Sequence, residues 1–328
     1  MLALVLAVAC GLAATLTSRS AAAPGDPPYS VPTADLAAAL SCAGPTPSAH
    51  QPVLLVHGTG ATAEENWGSN YAHVLPQLGY DTCTVALPNR ALGDIQVSAE
   101  YVVYAIRTMY ATYGRKVDVL GHSQGPLEPR WALKWWPSLR SQVDHLVMLA
   151  APNHGTAVAN AVVACSPACL QMRVGSNFLA ALNAGDETPD GVSYTSIYSL
   201  TDELVQPAAP RATSALEGAT NILMQDVCPG RIVEHVQFAF DAAVFALVMD
   251  AFTHPGSDVD PARIDRGVCY QAWFAGVSPQ LPNDFANGWN GGTLVLAEPP
   301  LASYATSTAP PSSTTSSSTT SASTMLAP

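Results

Sequence analysis

The pentapeptide Gly121-His122-Ser123-Gln124-Gly125 constrains this chain more than any other segment. It follows a run of strand formers, Lys116-Val117-Asp118-Val119-Leu120, and precedes a helix-like stretch from Leu127 to Leu139. A serine between two glycines at a strand-to-helix junction reads as a turn so tight that the serine is held in a strained backbone conformation. Side chains at the two glycine positions would collide with neighbouring backbone. The serine oxygen then stands at the edge of a sheet, above a helix N-terminus. An ordinary glycine-rich surface loop is the plainer alternative, and the strand and helix on the expected sides argue against it.

Six short apolar or β-branched runs read as buried parallel strands: 53–56, 82–86, 117–120, 145–149, 195–200 and 222–227. Each is bounded by Gly, Pro, Asn or Asp. A helix is expected from Ser98 as N-cap, with Val102, Val103, Ile106, Met109, Tyr110 and Tyr113 along one face and Gly114 as its stop. A second is expected over 238–252, apolar nearly all round. Alternating strands and helices predict an α/β fold with a mostly parallel central sheet flanked by helices. Ligands of such sheets sit beyond the carboxyl ends of the strands, where Ser123 falls. The strained serine turn between strand and helix assigns the fold to the α/β-hydrolases.

The ends read differently from the middle. Residues 1–23 resemble a secretory signal, with an apolar run from Leu2 to Leu16 and a small-residue cleavage site at Ser20-Ala21-Ala22-Ala23. From Ser303 the chain turns into a Ser/Thr/Pro-rich tail, expected to be disordered and stalk-like. Between them, residues 24–302 make one domain of about 280 residues, enough for a large buried core. Charged residues are only 12% and the net charge is −12, which argues against nucleic-acid binding. The apolar run at the start is too short for a membrane span. Of seven cysteines, six stay once Cys10 leaves with the signal. An even number in a secreted chain favours disulfides, with fifteen possible pairings. Their spacing suits no zinc site, and Cys165-Ser-Pro-Ala-Cys169 is able to clip one tight turn.

A serine hydroxyl needs a base to take its proton and an acid to orient that base. In this fold the order along the chain is serine, acid, histidine. Only His145, His154, His235 and His254 follow Ser123. His145 lies within an expected strand, and His154 precedes any plausible acid. His235 is favoured over His254, whose following proline suggests a turn. For the acid, Asp202 is favoured because it follows a strand, over Asp226 and over Glu203 one residue on. The oxyanion hole takes the amide of Gln124, after the nucleophile, and that of Thr59 in the glycine loop His57-Gly58-Thr59-Gly60. The Thr59 hydroxyl is a further candidate donor there. His57 is on the wrong side of the chain order and reads as a supporting residue.

Several segments together resemble the Candida antarctica lipase B family of secreted fungal lipases. They are Leu54-Leu55-Val56-His57-Gly58-Thr59-Gly60, Leu78-Gly79-Tyr80, Ser123-Gln124-Gly125, Trp135-Trp136-Pro137-Ser138-Leu139-Arg140-Ser141 and, most specific, Thr201-Asp202-Glu203-Leu204-Val205-Gln206-Pro207. The likeness spans about residues 30 to 270. It implies a lipase or esterase with little interfacial activation, a triad of Ser123, Asp202 and His235, and an oxyanion hole at Thr59 and Gln124. It also implies the bonds Cys42–Cys83 and Cys228–Cys269, leaving Cys165–Cys169 to brace a short lid-like helical segment expected over 157–174. Three departures fall in the expected substrate pocket. His122 replaces a tryptophan that bounds the alcohol side, Ala61 replaces a threonine, and Asn153 replaces an acid. Pro129, in the helix behind Ser123, is expected to block a carbonyl and bend that helix.

The expected protein is a secreted monomer that hydrolyses acylglycerols and other hydrophobic esters through an acyl-enzyme, needing no metal or cofactor. Its partners are the ester and the lipid–water interface. A cutinase-like polyester esterase is the alternative on the same scaffold. A non-catalytic binding module is the alternative from another class.

Overall fold

The computed structural model describes residues 25–44, 48–210, 212–277 and 292–306. The expected signal segment and nearly all of the expected tail lie outside them. A seven-stranded sheet forms the centre, in the spatial order β1-β3-β2-β4-β5-β6-β7. Its strands are β1 Leu40–Ala43, β2 Val53–Val56, β3 Thr82–Val85, β4 Val117–His122, β5 Val143–Leu149, β6 Ser193–Tyr198 and β7 Thr220–Leu223. All neighbours are parallel except β1, which runs antiparallel to β3.

Side chains alternate faces along each strand, so a sheet covered on both sides needs apolar residues at every position. Leu54 and Val56 face one core with Val119, Leu146 and Met148, covered by helices Ile95–Tyr113 and Leu127–Trp135. Val53 and Leu55 face the other with Leu120, Val147 and Leu149, covered by helix Ala242–Thr253 and by Trp67 and Tyr71. Each such side chain, fully buried, contributes about 1.5–3 kcal/mol relative to exposure.

Several expected boundaries move. The long helix begins at Ile95, not after Ser98, because Asp94 caps it by accepting from the Gln96 amide. Gly114 ends it, as expected, and takes the left-handed conformation (φ +66°). The expected strand 222–227 is β7 followed by a helical turn, Met224–Val227. β6 stops at Tyr198, which leaves Asp202 free in the loop beyond it. The helix expected over 238–252 is a 3-10 turn, Val236–Ala239, and then helix Ala242–Thr253, capped by Asp241. Pro129 sits too near the helix start to break an intrahelical hydrogen bond. It is the third residue of Leu127–Trp135, within the first turn, where no N–H has an intrahelical acceptor. The boundary at Ser303 cuts into packed structure, since Ser303–Thr306 is a helical turn whose Tyr304 hydroxyl accepts from Trp131 Nε1 at 3.0 Å.

Three disulfides join Cys42 to Cys83, Cys165 to Cys169 and Cys228 to Cys269. The first ties edge strand β1 to β3. No helix among the described residues is long and apolar enough to cross a membrane.

Candidate active site

β4 runs through His122 and breaks at Ser123, whose φ is +62°. That is a strained conformation for a residue with a side chain. Packing enforces it. A Cβ on Gly121 would lie 2.6 Å from the Pro126 nitrogen, and one on Gly125 would lie 2.3 Å from the Val56 carbonyl oxygen. Across the loop, a Cβ on Gly58 would meet the Ser123 Cβ at 2.8 Å. The Ser123 amide donates to Leu149 O (2.9 Å), which fixes the turn to β5.

Ser123 Oγ lies 2.8 Å from His235 Nε2. On the other side of that ring, Nδ1 is 3.0 and 3.1 Å from the two Asp202 oxygens. The Asp202 carboxylate also accepts from the amides of Leu204 (2.8 Å) and Val205 (2.9 Å). Burial works to raise its pKa, but the His235 ring and these two amides outweigh burial and hold it below the usual value. Three successive residues dock the acid loop on the histidine loop. Thr201 Oγ1 exchanges hydrogen bonds with Val233, Asp202 meets the His235 ring, and Glu203 accepts from the His235 amide at 2.9 Å. Glu203, an alternative acid from the sequence, thus holds the backbone of His235.

Of the other histidines, His254 bonds within its helix end at Asp250 O, and His154 pairs with Glu187 at the surface. His145 lies in a buried cluster with Asp118 and Asp144, the one group of metal-ligand types gathered among the described residues. Its ring bonds Asp118 through Nδ1 (3.1 Å) and Ser257 O through Nε2 (2.9 Å).

The glycine loop beside Ser123 is braced from behind. His57 donates from Nδ1 to Gly58 O and accepts the Leu87 amide at Nε2, both at 3.0 Å. Burial lowers its pKa to about 4, so the ring is neutral. Gly60 N donates to Arg90 O, and Arg90 Nε donates back to Gly60 O. The backbone N–H groups of Thr59 and Gln124 have no acceptor among the described residues. The Thr59 hydroxyl is engaged instead, donating to Gln124 Oε1 at 2.5 Å. Gln124 Nε2 donates in turn to Glu128 Oε1 (2.7 Å), a fully buried carboxyl whose pKa burial pushes up to about 8. Glu128 was legible in principle, four residues after Gln124 on a helix, but a carboxyl on a buried face runs against composition rules.

A cavity of about 730 Å³, counting its open mouth, lies over Ser123 and His235. Its wall is nearly all apolar, with Val158, Val162, Met172 and Val205 among its members. Helical turns Ala157–Asn160 and Pro167–Gln171 roof it within the segment read as a lid. Ala61 and His122 line it. Asn153 does not: it is fully buried, donates to Ser214 O (2.7 Å) and accepts from Arg130 Nη1 (3.2 Å). The neighbouring buried guanidinium, on helix Leu127–Trp135, turns this side chain away from the cavity. Asn66, unmarked by any sequence pattern, also lines the cavity and accepts the Gly58 amide at 3.0 Å.

A parallel sheet flanked by helices, with a strained serine at the end of a central strand, defines an α/β-hydrolase. The chain matches the Lipase (class 2) family over residues 50–238. It is 39% identical to lipase B of Pseudozyma antarctica over 243 residues, 69% of this chain and 71% of that protein. The crystal structure of Aspergillus fumigatus lipase B aligns with a TM-score of 0.76 and 31% identity, covering 86% of this chain and 74% of that one. The chain belongs to the class 2 lipase family and is a carboxylic ester hydrolase of lipase or esterase type.

Proposed function

We propose that this protein is a secreted lipase that hydrolyses acylglycerols and related hydrophobic esters through Ser123, His235 and Asp202. The observation that carries the reading is the 2.8 Å contact between Ser123 Oγ and His235 Nε2, continued to Asp202, beneath an apolar cavity. Ser123 Oγ attacks the ester carbonyl carbon while its proton passes to His235 Nε2. Asp202 keeps the Nδ1–H tautomer and stabilises the imidazolium. The oxyanion is met by the free amides of Thr59 and Gln124, donors of a kind whose single loss typically lowers turnover by roughly 10²–10³. The bond to the alcohol oxygen then breaks as His235 returns the proton to it, leaving Ser123 acylated. Water, deprotonated by the same nitrogen, attacks the acyl carbon, and the proton returns to Ser123 as the acid leaves.

Secretion is supported by the signal-like first 23 residues and by three disulfides, which persist in oxidising compartments. The test is Ser123→Ala, assayed on p-nitrophenyl esters of short and long acyl chains, with and without an oil interface. The expected result is a loss of turnover by several orders of magnitude with the fold intact. A near-normal rate would overturn the assignment.

A further inference from the structure

The residue before the nucleophile is used on both sides. His122 is buried, its ring against that of His235 (centroids 5.1 Å apart) and edge-on to Trp67. Its Nε2 lies 2.9 Å from the His235 carbonyl oxygen. A carbonyl only accepts, so Nε2 carries the proton. Burial, then the neighbouring His235, lowers the ring's pKa to about 3, so the ring is neutral and Nδ1 is a bare acceptor. Nδ1 faces Asn66 Oδ1 at 3.3 Å. That oxygen is identified as the acceptor end of its amide because the Gly58 N–H donates to it. Two acceptors therefore sit side by side with no proton between them, on residues that both line the cavity. Such a pair is unfavourable until a donor arrives. The Asn66 Nδ2–H, without a partner among the described residues, is a donor for the oxygen of the same group.

The side of the cavity is fixed by the chemistry. The departing alcohol oxygen must reach His235 Nε2 to be protonated, and His122 packs on that ring, so the pair borders the alcohol moiety and not the acyl chain. Resting on the esterase reading above, we infer that this pocket recognises esters whose alcohol part carries a free hydroxyl beside the ester carbon, as in partial esters of polyols. The hydroxyl donates to His122 Nδ1. The otherwise apolar wall makes this the polar group that orients the alcohol.

The test compares kcat/KM for 2-hydroxyethyl butanoate and propyl butanoate, esters of matched size, in the full chain and in His122→Phe. The variant loses its tie to the His235 backbone, so both rates fall, but the ratio isolates the hydroxyl. The expected ratio is about fivefold higher in the natural protein than in the variant. Should the variant not fold, the ratio for uncatalysed hydroxide hydrolysis serves as the reference. Equal ratios would overturn this inference while leaving the esterase reading in place. If neither ester is cleaved and p-nitrophenyl esters also survive, both fall.

Discussion

Two buried histidine–aspartate pairs hang on the same sheet. His235 and Asp202 meet beyond the carboxyl ends of the strands, and His145 and Asp118 meet toward the amino ends of β5 and β4. Along β4, Asp118 and Ser123 are five residues apart, roughly 16 Å in extended chain. In both pairs Nδ1 faces a carboxylate at about the same distance. What differs is the partner of Nε2. In His235 it is a hydroxyl at the floor of a cavity, and in His145 it is the Ser257 carbonyl. The Asp144 carboxylate accepts the Gly256 amide beside it, so the lower cluster fastens the chain after helix Ala242–Thr253 to the sheet. The same two residue types thus close on a cavity-floor hydroxyl at one end and on backbone at the other, and the partner of the second ring nitrogen tells the two apart.

The largest expected effect breaks the comparison at the acid. Asp202→Asn should lower kcat by about 10⁴, whereas Asp118→Asn should leave kcat of the folded protein within about twofold of normal; steady-state turnover of one soluble ester measures both. Stability should show the reverse order. Asp118→Ala removes one partner of a buried pair and is expected to cost about 3–5 kcal/mol in denaturant unfolding, while Ser123→Ala leaves the midpoint unchanged.

The pH dependence should also run in opposite directions. Burial raises the Asp118 pKa to about 6. Burial opposes the His145 proton, but Asp118 outweighs it and raises that pKa too. Groups with raised folded pKa values bind more protons when folded, so their stabilisation is present at low pH and is lost as pH rises through about 6 and beyond. Asp202, held below its usual value, instead gives stability above the unfolded pKa that is lost as pH falls through its lowered one. Unfolding free energies across pH 3 to 8, with Asp118→Asn as reference for the lower pair, separate the two. Glu128 shares the direction of the lower pair. Its raised pKa means stability lost between the unfolded value and about 8, at a slope of at most about 1.4 kcal/mol per pH unit. Glu128→Gln should flatten that part of the profile with only a minor change in turnover.

The central strands and the serine turn were readable because burial on both faces demands continuous apolar runs, and because a positive φ with close backbone contacts demands glycine on either side. Ser123, Asp202 and His235 meet in the chain order expected of this fold, with Asp202 placed beyond a strand end as that order requires. β1 could not, since Leu-Ser-Cys-Ala carries little β signal and is held at the edge by a disulfide and one ladder. Ser98 reads as a cap by residue type, and only the Asp94–Gln96 contact identifies the true start. The resemblance puts Asn153 in the pocket, but the buried Arg130 that claims its side chain lies 23 residues away, beyond any local pattern. Glu203, Asn66 and Glu128 act by contacts between distant loops or on a buried helix face, which spacing does not reveal.

The central claim is that Ser123 owes its nucleophilicity to His235 and Asp202. Labelling with a fluorophosphonate, followed by peptide mass spectrometry, tests it most directly. The account predicts one covalent adduct, on Ser123, whose rate of formation falls in parallel with ester hydrolysis in Asp202→Asn and His235→Ala. An adduct on another residue, or undiminished labelling of Ser123 in those variants, would contradict it.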